Sequence, residues 1–190
     1  DVDICMPLED VLRFKNEFKS EVLTYCDVDT DKDYCFPFSR VSHKETYQKD
    51  GCFTEYGVNI DLYPMIEVPS SQEQISGLID KGAPILAKRL AYMKWNSRWR
   101  RFLPFRFNLP GYRNCIRNYR EFLFNILSEE GGGRFHILAG PSRLFEAHTF
   151  DFNLFDEMID IEFEGLKFMS PARYHEFLTK RYGDYMQLPP

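Results

Sequence analysis

The opening run DVDIC passes without a loop into MPLEDVLRFKNEF, and no other stretch restricts the fold as much. The β-branched and small residues of VDIC favour an extended strand, whereas Leu8, Val11, Leu12, Phe14, Phe18 and Val22 recur at helical spacing. Pro7 suits a first helical turn, where its missing N–H costs no bond, and Glu9 and Asp10 complement the positive helix start. The pattern predicts a strand followed by a helix from Met6 to Tyr25. A strand joined this tightly to a helix is the signature of an α/β or α+β chain. The same strand puts Asp1 and Asp3 on one side, roughly 6–7 Å apart at ~3.3 Å rise per residue.

The rest of the chain continues to mix strands and helices. YCFPFSRVSH and CFTEYGVNIDLYPM read as two strands across the polar connection KETYQKDG. In the second, Val58, Ile60 and Leu62 alternate with Asn59, Asp61 and Tyr63, so Asp61 is expected opposite the buried aliphatics, with Pro64 ending the strand. SSQEQISGLIDKGAPILAKRLAYMKW is expected to be helical from a Ser70–Glu73 capping box and kinked or divided at Pro84. RRFLPFRFNLPG reads as a loop, and YRNCIRNYREFLFNILSEE as a helix stopped at Gly131, Gly132 and Gly133. FHILAG and IDIEFEGLKFM are strand candidates. SPARYHEFLTKRYG reads as a last helix, with Pro171 in its first turn and Gly183 at its end. At 190 residues and 44% apolar content the chain supports one sizeable core, hence a single domain over 1–190. No apolar window approaches the ~18 residues that span a bilayer, and no positively headed apolar leader is present.

Carboxylates as close as Asp1 and Asp3 repel unless one is protonated or a divalent cation lies between them. Magnesium takes oxygen ligands and fills its shell with water and substrate phosphates, so a third carboxylate such as Asp61 on a neighbouring strand would complete a site for phosphoryl transfer. On spacing alone, solvated carboxylates at a strand end are the simpler account. Arg40 and Lys44, near the hairpin, are candidates for phosphate contacts or ordinary surface cations. Ten cations and no acid lie between Lys88 and Arg120, in a chain whose net charge is −5. That block, with Trp95, Trp99, Phe102, Phe105 and Phe107, fits an anionic partner such as a membrane surface, and equally a solvated helix whose arginine stems cover apolar surface. Nucleic acid is disfavoured, because the acidic remainder would repel a long polyanion. The four histidines lack metal-ligand spacing, although His148 is a candidate to line a site, and Glu162 and Glu164 fit a solvated strand face. Five cysteines without a CxxC pair favour reduced thiols, with a Cys35–Cys52 bridge left open.

Three blocks extend the pattern. DVDICMPLEDVLRF resembles the opening signature of the LicD/fukutin family of phosphosugar and phosphocholine transferases, YGVNIDLYPM resembles its second block, and FEGLKFMSPARYHEFLTKRYGDYMQLPP its C-terminal block. They fall in the family's order and together span 1–190; the segment from about Ser70 to Ser128 carries no matching motif. The resemblance implies a nucleotidyltransferase-like α+β fold, a mixed sheet flanked by helices. It implies transfer of a phosphorylated alcohol, such as phosphocholine or phosphoribitol, from a CDP-activated donor such as CDP-choline to a sugar hydroxyl of a surface glycan such as lipopolysaccharide or teichoic acid.

Residue by residue, Asp1 and Asp3 match the family's metal-binding pair and Asp61 its third carboxylate, holding Mg2+ or Mn2+ and serving the chemistry. Asp184, in YGDYM, is a candidate for substrate contact, beside Tyr182, Tyr185 and Met186, which are expected to pack. The family's Gly-Ser turn upstream of the acidic pair is missing, so the natural protein is expected to extend before Asp1. The expected location is cytoplasmic, at the inner face of a membrane, or the Golgi lumen in a eukaryote, with a lipid-linked acceptor and a peripheral membrane contact through Lys88 to Arg120. The competing expectation is a non-catalytic relative that binds anionic glycan or membrane surface.

Overall fold

The computed structural model describes residues 3–31, 34, 36–46, 48–49, 55–69, 132–138 and 146–187, and positions 114, 117, 118, 120–122 and 124 between them. The elements run β1 (Asp3–Pro7), α1 (Leu8–Glu17), β2 (Leu23–Cys26), β3 (Ser39–His43), β4 (Gln48–Lys49), β5 (Glu55–Tyr56), β6 (Asn59–Val68), β7 (Arg134–Ile137), β8 (Thr149–Asp151), β9 (Met158–Phe163), β10 (Leu166–Pro171) and α2 (Tyr174–Tyr182), with short 3-10 turns on either side of β8. Six strands form the main sheet in the order β2-β3-β6-β7-β8, and β1 pairs with β6 on its other edge. Among the described residues, β1–β6 is parallel, and β2–β3, β3–β6, β6–β7 and β7–β8 are antiparallel. The sheet is mixed and the class is α+β, as expected.

β6 is the central element, and it overturns one expectation. Pro64 does not end the strand, which continues to Val68. Along one edge of β6, β3 pairs with Asn59 to Leu62 and β7 with Met65 to Val68. Pro64 falls where one partner hands over to the next, so its missing N–H interrupts neither ladder. Its carbonyl accepts the Leu138 N–H at 3.0 Å. Alternation holds through the strand, but both faces are covered: Leu62 and Ile66 are buried on one face, and Asp61, Tyr63 and Met65 on the other. The aliphatics Val58 and Ile60, expected inside, are exposed where the strand begins.

Helix α1 also departs from its periodicity. It stops at Glu17, with Phe18 extended and its N–H bonded to the Phe14 carbonyl at 2.8 Å, and the expected helical stretch Val22–Tyr25 belongs instead to a turn and to β2. Thr24 and Tyr25 favour the strand, and Ser20 Oγ accepts the Leu23 N–H at 3.0 Å, closing the turn. The Phe14 and Phe18 rings meet at 4.9 Å in a tilted arrangement across the helix end. Pro7 sits one step earlier than expected, as the last residue of β1 and the cap of α1.

IDIEFEGLKFM, read as one strand, is the β9–β10 hairpin, turned by Glu164 and Gly165 at φ 51° and 75°. Pro171 closes β10 rather than opening the helix. α2 ends on Gly183 at φ 72°, whose N–H bonds the Thr179 carbonyl at 2.8 Å. The connection between β3 and β6 carries the small β4–β5 pair. There Gly57 is required, because a Cβ would lie 1.9 Å from the His43 carbonyl oxygen. The expected helix from Ser70 and the loop after it lie outside the described residues. The described positions between 114 and 124 are helical, as expected.

One core cluster sets how the last helix meets the sheet. Phe38, Tyr63, Met65, Ile137, Phe150 and Leu154 pack together, joined by Cys5, Phe36 and Phe177. Phe177 stacks on Phe150 at 4.6 Å, which docks α2 on the face of the sheet that carries Asp61.

Candidate functional site

Register assembles the site. Asp3 on β1 stands opposite Asp61 on β6, and Arg40 on β3 stands opposite Asp61 from the other edge, so the three lie in one row across three strands. In-register partners share a face, and so do residues two apart on a strand. Cys5, Asn59 and Tyr63 therefore join the same surface.

Asp61 is held at every acceptor position. Arg40 donates Nε to Oδ1 at 2.5 Å and Nη2 to Oδ2 at 3.2 Å; Asn59 Nδ2 donates to Oδ1 at 3.1 Å and the Tyr63 hydroxyl to Oδ2 at 3.2 Å. Arg40 and Asp61 are 7% and 8% exposed, so this is a buried, two-pronged ion pair, and the Arg40 guanidinium lies 4.1 Å from the Phe36 ring. Asp3 is exposed at the strand's start. Partial burial, and then the neighbouring Asp61 carboxylate, raise the Asp3 carboxyl above its ordinary value against the opposing pull of Arg181 and Arg40.

The other side of the site comes from α2. Arg181 lies one turn beyond Phe177, on the helix face that the Phe150 contact turns toward the sheet. Its guanidinium is 5.7 Å from the Tyr63 ring and 5.3 Å from the Tyr182 ring, and its field reaches Asp3, Cys5 and His148. Burial pushes the Cys5 thiol up to about 11, which removes it as a nucleophile at neutral pH. Burial, with Arg181 adding to it, pushes His148 down to about 4, so the ring is neutral.

Of the sequence candidates, Asp3 and Asp61 are brought together and Asp1 lies outside the described residues. Arg40 reaches the pair, but as the partner of Asp61. Lys44 is exposed and braces the turn before β2, donating to the carbonyls of Ser20 and Glu21 at 2.9 and 2.8 Å. Asp184 is exposed past the end of α2, three residues after Arg181. Tyr182 and Met186 are 58% and 74% exposed, so neither packs into the core as expected, although the Tyr182 ring meets Arg181; Tyr185 is half-buried against the His175 ring. Glu162 and Glu164 are exposed, as expected. Arg117 and Arg120, the described end of the basic block, pair with carboxylates: Arg120 with Asp29 at 2.5 Å and Asp27 at 3.7 Å, and Arg117 with Asp29 at 3.5 Å. Cys35 and Cys52 lie outside the described residues, whereas Cys5 and Cys26 are free thiols.

Three further residues belong to the site. Asn59 and Tyr63 flank Asp61 at strand period two and were legible in principle. Arg181 was not, because only the docking of α2 on the sheet brings it there. As for a metal, no group of three or more His, Cys, Asp or Glu assembles among the described residues. Two adjacent carboxylates nevertheless suit magnesium, which needs few protein ligands when phosphates supply the rest. A cation reaching Asp61 must take the place of one of its four hydrogen-bond donors, whereas Asp3 offers its oxygens directly.

Over 36 residues, 19% of its length, the chain is 56% identical to the lipopolysaccharide cholinephosphotransferase LicD of Haemophilus influenzae, and the match covers 14% of that protein. No protein-family model matches the chain. No solved structure matches it.

Proposed function

We propose that this chain is a LicD-like phosphotransferase, moving a phosphorylated alcohol of the phosphocholine type from a CDP-linked donor to a sugar hydroxyl of a cell-surface glycan. The observation that carries the reading is the in-register pair Asp3 and Asp61 on neighbouring parallel strands, with the arginines Arg40 and Arg181 beside it. The short identity to LicD supports the same reaction class.

In the reaction, the acceptor hydroxyl oxygen bonds to the β-phosphorus while the bond from that phosphorus to the bridging oxygen breaks, releasing CMP. The hydroxyl proton passes to a carboxylate of the site. Asp3 and Asp61, with Asp1 as the third candidate, would hold Mg2+ or Mn2+, which when bound neutralises charge on the diphosphate. Arg40 fixes Asp61 so that its carboxylate does not swing, and the cationic side of the site draws the diphosphate in. The whole 1–190 stretch acts as one such domain, at the cytoplasmic face of a membrane where a lipid-linked acceptor is within reach.

The test is CMP release from CDP-choline, with CDP-ribitol as a second donor, in the presence of Mg2+. Asp3→Asn should lower turnover by about a hundredfold or more, the scale set by loss of one transition-state charge contact. Full turnover by that variant would remove Asp3 from the mechanism. CMP release unaffected by EDTA would remove the metal.

A further inference from the structure

We infer that Arg181 is a phosphate-binding residue, contributed by α2 and facing the Asp3–Asp61 pair across Tyr63. This deepens the transferase reading and rests on it for the identity of the anion, the diphosphate of the donor.

Three observations carry it. The Arg181 Nε is buried and has no hydrogen-bond acceptor among the described residues. A buried guanidinium N–H without an acceptor costs free energy that a ligand oxygen would recover. Second, Arg181 makes no ion pair among the described residues, although its field reaches the carboxyl of Asp3. Its charge is therefore held close to the acidic pair without being consumed by it, whereas Arg40 is committed to Asp61. Third, the head group is positioned by the rings of Tyr63 and Tyr182 on a helix anchored by Phe177. A planar fork held by aromatic rings presents its donors in a fixed direction, which is the geometry that a phosphate or diphosphate takes in two-pronged fashion. The exposed side of this helix end, Tyr182, Asp184 and Met186, borders the same position, so the rest of a donor has open surface beside it.

Calorimetric titration with inorganic pyrophosphate, and separately with CDP-choline, reads the inference directly in the wild-type chain, Arg181→Gln and Arg181→Lys. Arg181→Gln should weaken pyrophosphate binding by about tenfold to a hundredfold, the worth of a charge-assisted bond, at an unchanged melting temperature. Arg181→Lys, which keeps the charge and loses the fork, should recover part of that affinity. Pyrophosphate bound equally by all three, or by none, overturns the inference. Pyrophosphate binding that depends on Arg181, with no binding or turnover of CDP-choline, would retain the phosphate site and discard the CDP donor. Turnover of CDP-choline indifferent to Arg181 would do the reverse.

Discussion

At the scale of single residues, the Arg40–Asp61 pair decides what the site costs the fold. Both side chains are buried, and the guanidinium is bracketed by Phe36 and Phe38 at 4.1 and 5.7 Å. Burying two charges is repaid only while they stay paired, so removing one partner is far worse than removing both. Arg40→Met should lower unfolding stability by about 3–5 kcal/mol, and the double variant Arg40→Met, Asp61→Leu should recover most of it. Denaturant midpoints at constant slope measure this; a double variant as unstable as the single one would show that the pair is not the source of the loss. Alternation put Asp61 on its own face of β6, and that much was legible. That Arg40 faces it depends on strand register between positions 21 residues apart, which no local pattern encodes.

Among the elements whose burial is described, β9–β10 is held little by burial. Phe163 and Leu166 pair across the turn at 49% and 62% exposure, so the turn itself has to supply much of the hairpin's stability. Gly165 sits at φ +75°, and an added Cβ would meet nothing within 4 Å, which leaves backbone strain as the whole effect of a substitution. Gly165→Ala should cost about 1 kcal/mol, and Gly165→Asn less, because Asn tolerates the left-handed region. Hydrogen exchange should show faster exchange confined to the amides of β9 and β10, with β6 unchanged. Faster exchange spreading to β6 and the rest of the main sheet would contradict a local role. The Glu-Gly step in FEGLKF is the available turn signal, and the apolar alternation changes phase across it, from Ile159, Ile161 and Phe163 to Leu166 and Phe168. The end of α1 was hidden differently: its apolar stripe continues through Val22, yet Val22 is half exposed and the strand pairing of β2 prevails over helical spacing.

For the whole molecule, acid should act in two separate steps. Lys15 of α1, Asp27 and Asp29 after β2, and Arg117 and Arg120 of the later helical stretch form one charge network that ties distant parts of the chain. In the sequence Arg117 and Arg120 close an apparent anion-binding block; their acidic partners stand some ninety residues earlier, beyond the reach of any window. Burial raises both carboxyls, but Lys15 and the backbone N–H groups of Thr30 and Asp29 outweigh it at Asp27 and hold it below its ordinary value, and Arg120 with Lys15 holds Asp29 down at about 2. A carboxyl depressed by folding binds fewer protons folded than unfolded, so its stabilisation is complete above the ordinary value of 3.8 and fades as pH falls toward about 2. Asp29 is 40% exposed, and solvent limits its share to roughly 1 kcal/mol or less. His148 acts in a higher window. Its folded value of about 4 lies below the ordinary 6.5, so the unfolded chain takes up the proton first and stability declines as pH drops from 6.5 to about 4, by an amount on the order of 2–3 kcal/mol. Melting temperature followed from pH 8 to 2 should therefore fall first between 6.5 and 4 and again below 3.8. His148→Phe should flatten the first decline and leave the second, and Asp29→Asn should leave the first and lessen the second, Asp27 supplying the rest. A first decline that survives His148→Phe would mean that another group takes up the proton, and the buried neutral ring beside Arg181 would not be what couples this fold to acid.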